Sequence, residues 1–165
     1  MPNKSSKPKG PERETKASYT YPSLHRDVEE AVSDKIPKTW FNNKYDEKPN
    51  KTYETNVMGK FKCNNGGCSS PGWGSKKVAI QIKGYSGNGY NATVYSQRCR
   101  SCNTFGVFTL DENSYIERVA YRLKKWAGIA MDEQPHAGRE GPPHVCALCE
   151  GCRLGVCPEA HRYRR

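Results

Sequence analysis

Two cysteine pairs constrain this chain more than any other feature: Cys63 with Cys68 in CNNGGC, and Cys99 with Cys102 in CRSC. The thirty residues between the pairs read as strand, tight turn and strand. That order lets the backbone leave one pair, reverse, and return with the second pair beside the first. Four thiolates converging from two knuckles form a structural zinc site. Cys99 and Cys102 have the two-residue spacing of a knuckle whose amides point at the sulfurs. Four residues separate Cys63 from Cys68, and Gly66 and Gly67 ease that wider turn. Buried free thiols or a disulfide are the competing reading, and the hairpin between the pairs favours metal.

The rest of the composition agrees. Only 35% of the 165 residues are apolar, a figure that includes eight cysteines. So thin a core sets little hydrophobic free energy against chain entropy. A structural zinc site supplies on the order of 10 kcal/mol, so the fold is expected to depend on metal. No apolar run reaches the length that spans a bilayer, and MPNKSSKPKG lacks a signal core. The expectation is a chain in the cytoplasm or nucleus, where cysteines are metal ligands more often than disulfides. The formal charge is +10. A four-thiolate zinc site carries −2 and a three-thiolate, one-imidazole site −1, which lowers the total to about +7. That excess favours an acidic partner, nucleic acid or an acidic protein surface, although it also serves solubility.

Along the chain, residues 1–17 are polar and read as a disordered basic arm. Residues 18–51 carry a short amphipathic helix from Ser23, with Leu24, Val28, Ala31 and Val32 on one face and Ser23 as its cap. Pro37 ends it, and Trp40 and Phe41 follow as an aromatic pair suited to anchoring this arm. Residues 52–157 form the expected metal-binding domain. Tyr53, Thr55, Val57 and Phe61 alternate into the first knuckle. Val78, Ile80 and Ile82 alternate with Lys77, Ala79, Gln81 and Lys83, which predicts one buried and one wet face. GYSGNG at 84–89 supplies the reversal, and Tyr90 to Arg98 returns. Phe105 to Leu110 is a further strand. Ser114 opens a capping box with Glu117, leading a stripe of Ile116, Val119, Ala120 and Leu123 that stops at Gly128. The fold class is therefore a small zinc-stabilised α+β domain, an antiparallel zinc-ribbon-like sheet covered by one C-terminal helix. A Pro/Gly-rich linker spans 129–143, and 158–165 is a basic tail.

Between linker and tail lies HVCALCEGCRLGVC, with His144, Cys146, Cys149, Cys152 and Cys157 competing for four places. All four cysteines, or His144 with Cys149, Cys152 and Cys157, satisfy a second zinc. A mixed site that shares ligands with the early pairs is a third arrangement, and local loop closure favours separate sites.

The segments FKC…C…GWGSKKVAI, VYSQRCRSC, LDENSYIERVAYRLKKWAG and GPPH…CEGCRLGVC resemble the three-CxxC zinc-finger family. That family groups receptor-transporting proteins, zygote arrest proteins and a set of fungal proteins. The resemblance runs from about Phe61 to Cys157 and is closest to the fungal branch. It implies H-x4-C-x2-C-x4-C, hence His144, Cys149, Cys152 and Cys157 as second ligands and Cys146 as supernumerary. It also implies binding of transcripts, by similarity to zygote arrest proteins, or a receptor-trafficking helper, a role that in this family is membrane-anchored.

No deaminase, metalloprotease, nucleophile-elbow or phosphate-loop motif is present, and His25, His136 and His161 stand isolated. The expectation is not an enzyme and no small-molecule substrate. Around the hairpin, Lys76, Lys77, Lys83, Tyr85, Tyr90, Tyr95, Arg98 and Arg100 mix cations with stacking faces, the ingredients of an RNA or single-strand platform. The alternative for these tyrosines is packing in a thin core. A protein-protein adaptor is the second class, with Trp40, Phe41 and Trp73 as anchors.

Overall fold

The structure is a computed structural model that describes residues 16–44, 46–131 and 144–161. Most of the expected basic arm, the linker from 132 with His136, and the tail from 162 lie outside the described residues.

Six strands make one sheet: β1 (Ser18–Tyr19), β2 (Trp40–Phe41), β3 (Lys51–Cys63), β4 (Trp73–Tyr85), β5 (Gly89–Tyr95) and β6 (Gly106–Leu110). The order is β1-β5-β4-β3-β6, with β2 adding to β5 in parallel and every other pair antiparallel. The sheet curls far enough for its two edge strands to touch, where the Tyr19 and Phe108 rings lie 5.6 Å apart. The hairpin reverses at 86–88, with Gly87 and Asn88 at positive φ.

Two helices cover the concave face: α1 (His25–Val32) and α2 (Glu112–Trp126). Leu24, Val28 and Val32 meet Tyr115, Val119 and Leu123 over Val57, Val78, Ile80, Ile82 and Val94, forming one core. The cover is thus shared by an N-terminal and a C-terminal helix, where the sequence reading expected the latter alone. Ser23 does not cap α1: it sits in a 3-10 turn begun by Pro22, and α1 continues from that turn with no side-chain cap.

The start of α2 also differs from the capping-box reading. Asp111 is the N-cap, its side chain accepting the Ser114 amide at 3.2 Å. Ser114 has another duty. The β3–β4 register shifts between Val57 and Gly59, leaving Met58 out of that ladder. The Met58 amide donates to Ser114 Oγ (3.0 Å), and the Met58 carbonyl accepts the Asp111 amide (2.9 Å). A bulge frees two backbone groups, and the first turn of α2 uses both. Ser114→Ala is therefore expected to orphan a part-buried amide and cost about 1–2 kcal/mol, measurable by urea denaturation. At the other end Gly128 (φ 84) follows the last turn, as expected.

The second face of β4 is not wet throughout. Ala79 is fully buried there by a smaller cluster of Cys149, Cys152, Cys157 and Ala160, with Tyr95 packed alongside. The C-terminal segment, including α3 (Glu150–Leu154), lies against this face. Alternation in β4 reports one buried face correctly, but a segment seventy residues downstream covers part of the other.

Candidate metal centres

The first centre forms where strand ends meet. Cys63 closes β3 and pairs in register with Gly106 of β6. Cys68 follows a turn in which Asn65 Oδ1 accepts the Gly67 amide (3.0 Å) and the Asn65 carbonyl accepts the Cys68 amide (2.9 Å). Cys99 and Cys102 sit on the β5–β6 loop. The Cys99 amide donates to the Thr104 carbonyl (2.8 Å), the Asn103 amide donates to the Cys99 carbonyl (2.7 Å), and Asn103 takes φ 62. The sulfurs of Cys63 and Cys102 are 3.5 Å apart, and those of Cys68 and Cys99 3.8 Å.

The second centre is built from one short stretch. His144 Nε2 lies 3.4 Å from Cys152 Sγ and 3.8 Å from Cys157 Sγ. Cys149 Sγ accepts the Cys152 amide at 3.4 Å, so the first ligand of the knuckle also caps α3. Gly155, left-handed at φ 77, ends α3 and turns the chain back to bring in Cys157. Gly151 sits where a Cβ would collide with that of Ala79, so only glycine lets α3 lie this close to β4. Glu150, buried, holds Arg153 through two hydrogen bonds of 2.9 and 2.6 Å, which keep its carboxyl below the usual range.

Among the described residues these are two separate groups, Cys63, Cys68, Cys99 and Cys102, then His144, Cys149, Cys152 and Cys157, with donor atoms within 4.8 Å of one another in each. None of the eight cysteines is disulfide-bonded. A Zn–S bond of about 2.3 Å on a tetrahedron places sulfurs about 3.8 Å apart, against about 2.05 Å in a disulfide. The Cys63–Cys102 and Cys68–Cys99 separations of 3.5 and 3.8 Å lie near the metal value and far from the disulfide one. The electrostatics match as well. The Thr104 hydroxyl and amide, with the Asn65 side chain, draw the Cys102 thiol down to about 6. Cys68 goes the other way: the Ser70 amide lowers it, but burial and the neighbouring sulfurs win and push it up to about 12. Hydrogen bonds from Cys149 and Cys152 pull the Cys157 thiol well down, while Cys149 and Cys157 drive the Cys152 thiol up. In each cluster some thiols are thus drawn toward the thiolate, Cys99 and Cys102 in the first and Cys157 in the second, while another is pushed away from it, so forming all of them calls for a cation. A divalent ion supplies that charge, and the chain provides two sites, each fit for one zinc. Cys146 packs against the second cluster but lies outside its donor set. No ligand is shared between the two groups, and each contains four protein donors.

Between the two centres runs a cleft of about 360 Å³. Lys76, Lys77, Arg98 and Arg100 line it, together with Trp73 and His144, and no acidic side chain does among the described residues. Trp73 is fixed in place. Its ring stacks on Phe61 at 5.0 Å, and its Nε1–H donates to Gln97 Oε1 at 3.0 Å. Gln97 Nε2 donates in turn to Ser75 Oγ at 3.0 Å. Arg98 is held over the Phe105 ring at 4.0 Å and donates to the Asn103 carbonyl. Lys77 pairs with Glu159 at 3.6 Å, whereas Lys76 and Arg100 are exposed.

The sequence-chosen platform is only partly gathered here. Its four cations at 76, 77, 98 and 100 share the cleft, and Lys83 does not line it. Tyr90 is fully buried in the core with its hydroxyl 2.9 Å from His25 Nδ1, so it cannot offer a stacking face. Tyr85 is 8% exposed, accepts from Asn91 and donates to the Glu47 carbonyl, which removes it on the same ground. Tyr95 is half-buried against the second cluster. These side chains lie where a thin core needs bulk. Trp73, expected as a protein anchor, stands instead among the cations. Gln97, Ser75 and Leu148 also line the cleft and had no sequence signal beyond their nearness to the knuckles. Phe41 packs edge-on against Tyr90 at 5.4 Å, as an anchor should, while Trp40 is 39% exposed.

A family model described as a zinc-binding domain, of the 3CxxC zinc-ribbon type, matches residues 56–155. The match contains seven of the eight donors and stops two residues before Cys157. No curated relative and no solved structure matches the chain. The matched region covers more than half of the chain: this protein belongs to the 3CxxC zinc-ribbon family of zinc-binding domains.

Proposed function

We propose that the chain is a non-catalytic module that binds RNA or another single-stranded nucleic acid in the cleft between its two zinc centres. The observation that carries this reading is the cleft itself, which gathers four cations and a fixed indole with no acid among its described lining. Phosphates suit the cations, and an unstacked base suits the tryptophan edge. Four protein donors per centre fill a tetrahedron, which leaves no open position of the kind a catalytic zinc keeps. That supports binding over catalysis. No described helix is long and apolar enough to cross a membrane, so a membrane-anchored trafficking role has no support there. Within the family, the spacing of His144, Cys149, Cys152 and Cys157 supports the fungal branch. A cytoplasmic or nuclear site of action follows from the nucleic-acid reading.

Filter binding of single-stranded RNA across salt concentrations tests this. Neutralising three to four phosphates on a single strand gives a log–log slope of about −2 to −3. Arg100→Ala should weaken binding across sequences and reduce that slope by about 0.7. Absence of binding at low salt would contradict the proposal. The adaptor reading rests on Trp40, which is exposed and donates from Nε1 to the Ser86 carbonyl at 3.1 Å on the hairpin tip. RNA affinity lost in Trp40→Ala and kept in Arg100→Ala would contradict the cleft as the RNA site, and RNA affinity unchanged in both variants would favour the adaptor reading.

A further inference from the structure

Residues 96–98 serve both metal centres at once. On one side they close the loop of the first. Arg98 bridges to Phe105, and the Gly106 amide donates to the Gln97 carbonyl at 3.1 Å, so Cys99 and Cys102 are held between them. On the other side they anchor the segment of the second. Gln97 bridges to Cys149, the Arg98 amide donates to the Leu148 carbonyl at 2.8 Å, and the Glu150 amide donates to the Ser96 carbonyl at 3.0 Å. Gln97 and Arg98 themselves line the cleft. Arg100, from the Cys99–Cys102 knuckle of the first centre, lines the same cleft as His144 and Leu148 from the segment of the second.

His144 has two roles in this arrangement. Its Nε2 is a donor in the second metal group, and the same residue lines the cleft. The cleft therefore has its observed shape only while the second centre is closed. The two centres differ in how firmly they are held. The first is built from the ends of β3 and β6 and from the loop between β5 and β6. The second depends on a short segment packed on the sheet through Ala79 and a few neighbours. The four donors of the second centre are buried, whereas three of the first centre's are half-buried, so the second centre gives up its metal only when this segment lifts from the sheet.

A ligand that touches lining residues of both centres binds only the closed form, so it must stabilise the metal that closes it, and by the same factor the metal must strengthen the ligand's binding. We infer that nucleic acid in the cleft and zinc in the second centre are reciprocally coupled, which makes the module a zinc-responsive binder of single strands. This rests on the reading that the cleft takes nucleic acid.

The test follows zinc transfer from the loaded full-length chain to a chromophoric chelator, with and without a saturating twelve-residue oligouridylate. Two phases are expected. The oligonucleotide should slow the phase of the second centre, identified as the one missing from His144→Ala, by about tenfold and leave the other unchanged. Arg100→Ala, at an exposed position outside both metal groups, should keep both zinc ions and lose the protection. In the reciprocal arm, His144→Ala should bind the oligouridylate about tenfold more weakly while the first centre stays loaded. Binding with unaltered transfer of both zinc ions, or equal affinity in His144→Ala, overturns the coupling and leaves the nucleic-acid reading standing. No binding at low salt removes both.

Discussion

Cys99→Ala is expected to abolish cooperative folding. Cys99 is fully buried, and it is the ligand at which the return strand meets the first centre. Its backbone closes the loop to Thr104, and its sulfur stands 3.8 Å from that of Cys68. A structural zinc contributes on the order of 10 kcal/mol to folding, against a net domain stability of about 5–15 kcal/mol. Loss of one ligand weakens that contribution and leaves three sulfurs crowded without their cation. The core over the sheet does not make up the difference, because a chain with 35% apolar residues buries too little. Thermal melting followed by circular dichroism checks this. A sharp transition at the wild-type temperature in Cys99→Ala would show that the first centre is not what holds the fold.

His144→Ala should act differently. It removes a donor from the second centre, so one zinc ion per chain is lost and residues 144–161 become open to protease. The main core survives, since Val57, Ile80, Ile82, Tyr115 and Leu123 belong to a cluster that the second centre does not enter. Cys146→Ala, one turn away and outside the donor set, should retain both ions. Limited proteolysis beside metal analysis separates the cases. Equal metal in both variants would mean that Cys146 can stand in for the histidine.

Much of this site was legible because metal ligands are chemically distinctive and their spacing is local. Both four-residue sets follow from CNNGGC, CRSC and the closing His/Cys run, with similarity to the family choosing His144 over Cys146. Strands β4 and β5 followed from alternation and from the GYSGNG reversal. The misplaced details have a common cause, which is that a distant partner decides each one. Ser114 looks like a cap by its spacing to Glu117, yet its hydroxyl answers an amide freed by a bulge fifty-six residues earlier. Ala79 faces away from the main core and is buried all the same, by Cys149 and Ala160. Tyr85 and Tyr90 combine a flat ring with neighbouring cations in sequence, but α1 and β2 cover Tyr90 with His25 and Phe41. The cleft escaped notice for the same reason. It draws on three stretches, around Trp73, Arg98 and His144, that only the assembled sheet and both centres bring together.

The central claim is that two zinc centres of defined composition hold this fold and wall its cleft. Zinc content of the purified full-length chain, measured by plasma emission against protein concentration, tests it most directly. Two ions per chain is the expected value. One ion per chain, or none in a chain that still melts cooperatively, would contradict it.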